Sequence, residues 1–194
     1  MIELDAGVAE QLTQVNAASS IQVRVGTSNS FLVIASMLQP LVHGFGMSGV
    51  YICATRSAVE VIQMFEQIGI DASQIVFIDT VSAGFIGGTE VPYPNIRFVD
   101  SPIMLESIML QTLYHLKASE NPNKFILLDS VNALSIYNEE RMLAEYLHTF
   151  INTFRARQVL TAVVNVPDQT PPGVLANLDL YCTDLIDRGQ VVIH

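Results

Sequence analysis

Short apolar runs, separated by longer helix-like segments, constrain the fold of this chain more than any other feature. Most of the runs are nearly continuous in Val, Ile and Leu, which is typical of strands buried on both faces of a sheet. They lie at residues 21–25, 50–54, 75–78, 96–99, 125–128 and 159–164. Because parallel strands need helical crossovers, this pattern predicts an α/β domain with a mainly parallel sheet covered on both faces.

The segments between the runs have the residue spacing of amphipathic helices. Ser, Asn and Pro at the starts of these segments are typical of helix N-termini, and Gly is typical of the position after the last turn. The helices are predicted over residues 3–17, from Ser28 or Asn29 to about 43, from Ser57 to Gly69, from Pro102 to about 117, and over 139–157.

The end of the chain departs from this alternation. Residues 180–186 and 190–193 have the composition of strands, and Asp187-Arg188-Gly189 between them is a turn signal. This predicts a C-terminal antiparallel hairpin at one edge of the sheet. A separate glycine-rich segment, from Gly84 to Pro94, is predicted to be a loop.

Length and charge limit the function classes. The 194 residues predict one domain, 1–194, and the net charge of −10 with nine scattered basic residues excludes a nucleic-acid-binding surface. The N-terminus has no signal-peptide pattern, and Pro and Gly interrupt the apolar stretch 31–54. We therefore expect a cytoplasmic protein without a membrane span. An apolar content of 50% predicts a large core or a surface covered by a partner.

The chemistry of such a domain is expected where strands end and helices begin. Backbone N–H groups and helix dipoles converge at that edge of a parallel sheet. Two strand ends carry polar residues of interest, Gly26 to Ser30 and Asp129-Ser130.

Several segments, in their order and spacing, resemble the RecA-like ATPases, and among them the family related to the clock protein KaiC. The segments are KFILLDSVNAL at 124–134, GVYI at 49–52, GID at 69–71, FID at 77–79 and VLTAVV at 159–164. The resemblance implies a three-layer RecA-like fold of the P-loop NTPase type. It also implies that Asp129 stands at the Walker B position, where the family binds Mg²⁺, and that the turn after Gly26 stands at the phosphate loop.

The phosphate loop departs from the family pattern. A working loop, G-x-x-x-x-G-K-[ST], uses glycines to wrap the phosphates, a Lys to neutralise them and a hydroxyl to bind Mg²⁺. Counting from Gly26 places Phe31, Leu32 and Val33 at the second Gly, the Lys and the hydroxyl residue. A shorter loop places Ser30 as the hydroxyl residue, but no Lys precedes residue 117.

Two further elements of the family's catalytic apparatus are missing. The Glu that orients the attacking water, expected after the second strand, is replaced by the sequence ATR at 54–56. The trans-acting basic residue is expected beyond the strand that ends at residue 164, but residues 165–187 contain no Lys or Arg.

Seven residues remain candidates for binding a cofactor, and each has a structural alternative. A strand-end carboxylate such as Asp129 is either a Mg²⁺ ligand or a loop cap, and the side chain of Arg56 either replaces the missing cation or is solvated at a helix N-terminus. Asp79, Asp100 and Asp129 all lie near strand ends, where they either gather at one rim of the sheet as a metal site or, as is more common for such residues, cap loops. The candidates are Gly26, Ser28, Asn29, Ser30, Arg56, Asp129 and Ser130, with Asp129 as the metal candidate.

The sequence thus favours a non-catalytic RecA-like domain, a pseudo-ATPase that serves as an interaction or regulatory module and needs no cofactor. Its expected partner is a second copy of itself or a related ATPase subunit. The alternative is a divergent nucleotide-binding protein that takes ATP and Mg²⁺ with weak or no hydrolysis, using backbone N–H groups of residues 28–31 and Arg56.

Overall fold

A seven-stranded sheet, parallel throughout, forms the centre of the molecule. The computed structural model describes residues 5–16, 18–82 and 93–188. The strand order across the sheet is β4-β3-β2-β5-β6-β1-β7. The strands are β1 Ser20–Val25, β2 Ser48–Cys53, β3 Ile75–Asp79, β4 Ile96–Phe98, β5 Lys124–Asp129, β6 Leu160–Asn165 and β7 Asp184–Arg188.

Helices connect the strands and cover both faces of the sheet. A π-helical turn, Pro40–Gly44, extends α2, and 3-10 turns precede β3 at Ala72–Gln74 and α7 at Pro167–Gln169. The α-helices are α1 Ala6–Leu12, α2 Ser30–Gln39, α3 Ala58–Gln67, α4 Leu105–Ala118, α5 Val131–Ser135, α6 Glu140–Arg155 and α7 Pro172–Tyr181. No helix of the described segments is long and apolar enough to cross a membrane.

The core is divided into two parts by the sheet. Successive side chains of a strand point to opposite faces, so Tyr51 and Cys53 of β2 pack with α1, α2 and α3, whereas Val50 and Ile52 pack with α4 to α7. Helix α6 shows why these segments form helices, because its fully buried residues recur at helical spacing: Leu143, Leu147, Phe150, Ile151 and Phe154. The predicted three-layer α/β arrangement with a parallel sheet is confirmed.

The predicted C-terminal hairpin is wrong within the described residues. Leu180 and Tyr181 belong to helix α7, and Asp187 and Arg188 lie inside β7 instead of forming a turn. Strand β7 pairs in parallel with β1, which required a helical crossover before it. Pro171-Pro172 begins that crossover helix, and Val174 and Leu178 bury one of its faces. The second predicted strand, 190–193, lies outside the described residues.

One other predicted helix begins later than expected, and one predicted loop lies mostly outside the described residues. Pro102 lies in a turn before α4 and not in its first helical turn, because the helix begins at Leu105. The predicted glycine-rich loop from Gly84 to Pro94 lies, except for residues 93 and 94, outside the described part of the chain.

Candidate functional site

All seven candidate residues lie at one edge of the sheet, where the strands end; we call it the carboxyl edge. Gly26 to Ser30 connect β1 to α2, Arg56 lies between β2 and α3, and Asp129 is the last residue of β5. Strand β6 separates β1 from β5. At a strand spacing of about 4.8 Å, the turn after β1 and Asp129 are therefore about 10 Å apart across the sheet.

The connection from β1 to α2 is a turn of four residues that is closed by Asn29. The N–H of Asn29 donates to the carbonyl oxygen of Gly26 at 3.3 Å, and the N–H of Gly26 donates to Oδ1 of Asn29 at 2.8 Å. The Nδ2 of Asn29 donates to the carbonyl oxygen of Arg188 in β7 at 2.8 Å. These bonds occupy polar groups of the turn with partners inside the protein. They also connect the turn to the edge strand β7.

The side chains after this turn are largely apolar and contribute to the core. The ring of Phe31 stacks on Phe65 with centroids 5.7 Å apart, and Val33 is buried. Leu32, at the position of the family's Lys, has 37% of its surface exposed. An aliphatic side chain there cannot neutralise a phosphate.

The two serine candidates differ in exposure. Ser28 is exposed at the tip of the turn, and Ser30 is half-buried at the first position of α2. The neighbouring Thr27 accepts a hydrogen bond at its Oγ1 from Nε2 of Gln169, at 3.2 Å, so the turn also contacts the segment after β6.

Asp129 is buried at the end of β5 and is bound by side chains from β2 and the loop after it. The hydroxyl of Tyr51 donates to Oδ2 of Asp129 at 2.6 Å, and Oγ1 of Thr55 lies 3.3 Å from Oδ1. Thr55 Oγ1 also lies 3.1 Å from Oγ of Ser130, which follows Asp129 through a cis peptide bond. The structure thus brings Asp129 and Ser130 together with two residues that the sequence analysis did not select.

Burial has the largest influence on the pKa of Asp129. Desolvation raises the pKa of Asp129 above its ordinary value, against the hydrogen bond from Tyr51, the charge of Arg56 and the hydrogen bond from Thr55, all of which lower it. The pKa of Tyr51 is raised well above its ordinary value, first by burial and then by the charge of Asp129. The phenol therefore stays protonated and acts as the donor.

The arginines near the ends of β1, β2 and β7 are each paired with a carboxylate. Arg56 Nε lies 3.8 Å from Oε1 of Glu60 in α3, and Arg188 Nε lies 3.1 Å from Oδ2 of Asp5. The third, Arg24, pairs with Asp179 and lies 3.8 Å from Asp187. Arg56 also lies three strands away from the turn after β1, about 14 Å across the sheet.

A second buried carboxylate, Asp79, ends β3 on the other side of β2. Its oxygens accept hydrogen bonds from the backbone N–H groups of Ala58, Val81 and Ser82 and from the hydroxyl of Ser82, at 2.8 to 2.9 Å. The expectation that a strand-end Asp caps a loop is confirmed for this residue. In residues 5–16, 18–82 and 93–188, no three His, Cys, Asp or Glu side chains are grouped as metal ligands.

Tyr51 and Thr55 are the site residues that sequence reasoning missed. A signal for Tyr51 was present, since it is a phenol within an otherwise aliphatic run that ends at Cys53. Its partner lies 78 residues away, however, and only the pairing of β2 with β5 brings the two together.

Comparison with solved structures finds similar folds. A KaiC-like protein from Pyrococcus horikoshii matches with a TM-score of 0.62 and 14% identity, over 91% of this chain and 74% of that chain. The flagellar accessory protein FlaH from Methanocaldococcus jannaschii matches with a TM-score of 0.64 and 16% identity, over 96% and 78%. Comparison with protein-family models and with curated protein sequences finds no match. The predicted RecA-like architecture is thereby confirmed, and the chain has the fold of the KaiC-like proteins.

Proposed function

We propose that this chain is a non-catalytic RecA-like domain that acts by binding another protein chain. The observation that carries the proposal is the closed turn at Gly26 to Asn29. A phosphate loop needs free backbone N–H groups that converge on the ligand, and here the N–H groups of Gly26 and Asn29 donate within the turn. A phosphate that took the N–H groups of Gly26 and Asn29 would have to replace these two bonds.

The charges at the carboxyl edge support the same conclusion. A bound triphosphate needs uncompensated positive charge, which the family supplies with the loop Lys. Arg24, Arg56 and Arg188 are each paired with a carboxylate of the chain, and Asp129 adds a buried carboxyl group. Nucleotide binding would therefore cost the desolvation of phosphate without a cation to compensate it.

The alternative, a divergent nucleotide-binding protein, is favoured by one observation. Asp129, Ser130 and Thr55 form a polar cluster at the strand end where the family binds Mg²⁺. The alternative needs Arg56 to leave Glu60 and approach the ligand.

Calorimetric titration with Mg-ATP tests the choice. We expect no binding tighter than about 1 mM, because the turn and its paired arginines provide no phosphate site. A micromolar Kd would overturn the proposal, and it would support the alternative if Arg56→Gln weakened binding while Arg141→Gln did not. Arg141 is a suitable control because it lies on an exposed face of α6 and also pairs with a Glu four residues away.

An exposed apolar surface supports the binding of another chain. The exposed apolar side chains of α4, of the turn before it, of the segment after α5 and of the start of α6 are together called the α4 face; they are Ile103, Met104, Leu110, Tyr114, Ile136, Tyr137 and Met142, each more than 40% exposed. Leu110 and Tyr114 lie one turn apart on α4. The amide Nδ2 of Asn138 donates to the carbonyl oxygen of Pro102 at 3.2 Å, which brings the segment between α5 and α6 next to the start of α4.

The size of the α4 face fits a second copy of the chain. Side chains of this size expose on the order of 100 Å² each at these fractions, so the face offers roughly 700 Å². A standard interface buries about 800 Å² per partner. A symmetric homodimer through this face would cover most of the large apolar side chains that the described residues leave exposed.

Light scattering tests the homodimer. We expect the unmodified chain to have the mass of a dimer and the Leu110→Glu variant to have that of a monomer, because a charge on the face opposes its burial. The matched control is Leu180→Glu, an equally exposed leucine on α7 outside the face, which should remain dimeric. A monomeric unmodified chain, or dissociation by both variants, would contradict the homodimer.

A further inference from the structure

A cavity at the opposite edge of the sheet, where the strands begin, contains a cluster of positive charge. The cavity has a volume of about 410 Å³ and lies where α4 and α6 end and β5 and β6 begin. Lys117, Lys124 and Arg157 line it together with apolar side chains such as Leu113, Leu116 and Val159. A concave apolar site with a few convergent polar groups is the usual form of a small-molecule site.

The composition of the chain makes this cluster unusual. Acidic residues outnumber basic ones by 19 to 9, yet three of the nine basic residues line one cavity. Among the described residues, none of the three forms an ion pair with a carboxylate, in contrast to the arginines at the carboxyl edge. Among the described residues, no carboxylate thus lies within ion-pair distance of these three side chains.

Helix dipoles offset only part of the positive charge that lines the cavity. Lys124 Nζ donates to the carbonyl oxygens of Leu116 and Ser119 at the end of α4, and Arg157 Nη1 donates to the carbonyl oxygen of Thr153 near the end of α6. Each helix C-terminus carries about half a negative charge, so two ends offset about one of three positive charges. The ammonium of Lys117 donates to no group in the described part of the chain.

From this arrangement we infer that the cavity is a binding site for a small organic anion with an apolar body, such as an aromatic or aliphatic carboxylate. The apolar body packs on Leu113, Leu116 and Val159, and the anion lies between Lys117 and Arg157. The other large depression, about 490 Å³ between α6 and α7, lacks this character. There Glu140 already accepts from the N–H of Gly173, and Arg141 already pairs with Glu145.

The experiment compares two probes that differ only in charge, 2-naphthoate and 2-naphthalenemethanol, by NMR titration of the whole chain. We expect 2-naphthoate to shift the amide resonances around the cavity with a Kd below about 1 mM, and the alcohol to bind at least about tenfold more weakly. Raising the salt concentration should weaken the binding of the anion only, because partly exposed charges are screened.

Two variants test which positive charges of the cavity bind the anion. Lys117→Gln and Arg157→Gln should each raise the Kd of 2-naphthoate by about threefold or more, as expected for the loss of one partly exposed ion pair. Both side chains are exposed, so the variants should fold, and circular dichroism checks this. Arg141→Gln removes the same charge outside the cavity and should leave the Kd within about twofold.

Several results would overturn the inference. These are no binding of 2-naphthoate at about 10 mM, equal binding of the alcohol, shifts confined to another surface, or equal weakening by Arg141→Gln. Binding of an acidic peptide at this cavity without binding of 2-naphthoate would also overturn it. The comparison of the two probes uses the unmodified chain, so it is decisive even if a variant fails to fold. The cavity lies at the opposite edge of the sheet from the turn at Gly26 to Asn29, so the binding of 2-naphthoate and the absence of Mg-ATP binding are tested independently.

Discussion

Asp79 and Asp129 occupy equivalent places in the sheet but are stabilised differently. Each ends a strand that flanks β2, each is paired in register with Cys53, and each is buried. Asp79 accepts four hydrogen bonds, three of them from backbone N–H groups. Asp129 is bound by two side-chain hydroxyls, and burial raises its pKa.

The difference separates a structural carboxylate from one whose burial is only partly compensated. Backbone donors of α3 and of the loop after β3 depend on Asp79, so its charge organises local structure. Asp129 organises no backbone in this way, and its two donors come from β2 and the loop after it. The comparison of the two strand ends can be tested by substitution.

The largest effect is expected for Asp79→Ala. Removing the carboxylate leaves the N–H groups of Ala58, Val81 and Ser82 without this acceptor, which should cost about 3 kcal/mol or more of the free energy of unfolding. Urea denaturation measures the loss. Asp71→Ala is the control, because Asp71 also accepts from a backbone N–H two residues on but is exposed, and it should cost much less. Equal losses for the two variants would mean that Asp79 contributes no more to stability than an exposed cap such as Asp71.

The second effect is expected for Tyr51→Phe. The ring remains packed between Phe65 and Phe77, with centroids 5.9 and 5.5 Å away, but Asp129 loses its shorter hydrogen bond. The expected loss is about 2 kcal/mol by urea denaturation at pH 7. Tyr146→Phe is a matched control, because the buried hydroxyl of Tyr146 has no hydrogen-bond partner among the described residues and its removal should be neutral or stabilising. Similar losses in both variants would contradict a specific role for the Tyr51 hydroxyl.

These contacts show where sequence reasoning succeeded and where it could not. The run at 125–128 predicted β5 to within a residue at each end, and with it the position of Asp129 at the carboxyl edge. Periodicity and local caps determine such features, because they involve neighbours in sequence. The contact of Tyr51 with Asp129, by contrast, depends on which strand lies beside which. The bond from Asn29 to the carbonyl of Arg188 spans 159 residues for the same reason.

The wrong prediction for the end of the chain has a related cause. Helix α7 has only two fully buried residues, Val174 and Leu178, so its apolar periodicity is weak. Strand β7 contains two aspartates and an arginine, a composition that favours a turn when it is considered alone. Pairing with β1 determined its structure, since tertiary context overrides a weak local preference.

A smaller effect is expected for Thr55→Val. Its hydroxyl lies 3.3 Å from Oδ1 of Asp129, a long contact from an exposed residue, and the expected loss is about 0.5 kcal/mol. The two hydroxyls share one carboxyl group, so the double variant with Tyr51→Phe should lose more than the sum of the single losses. Strictly additive losses in urea denaturation would show that the two contacts are independent.

The smallest change in the free energy of unfolding is expected for Asp129→Asn in acid. The informative measurement for this variant is how its free energy of unfolding changes with pH relative to that of the unmodified chain. Because the folded pKa of Asp129 is raised above the unfolded value of about 3.9, the folded state binds the proton more strongly. The free energy of unfolding of the unmodified chain therefore falls as the pH rises from the unfolded pKa through the folded pKa.

The neutral amide of the Asp129→Asn variant does not titrate, so it does not lower the free energy of unfolding as the pH rises. The two proteins should differ by less than about 1 kcal/mol in the free energy of unfolding at pH 4. The variant should gain stability relative to the unmodified chain as the pH rises to 7. Urea denaturation of both at pH 4, 5.5 and 7 measures this difference, in which other titrating groups cancel. If the unmodified chain instead gained stability relative to the variant as the pH rose, the Asp129 carboxylate would be as well compensated as that of Asp79, and the contrast between the two strand ends would disappear.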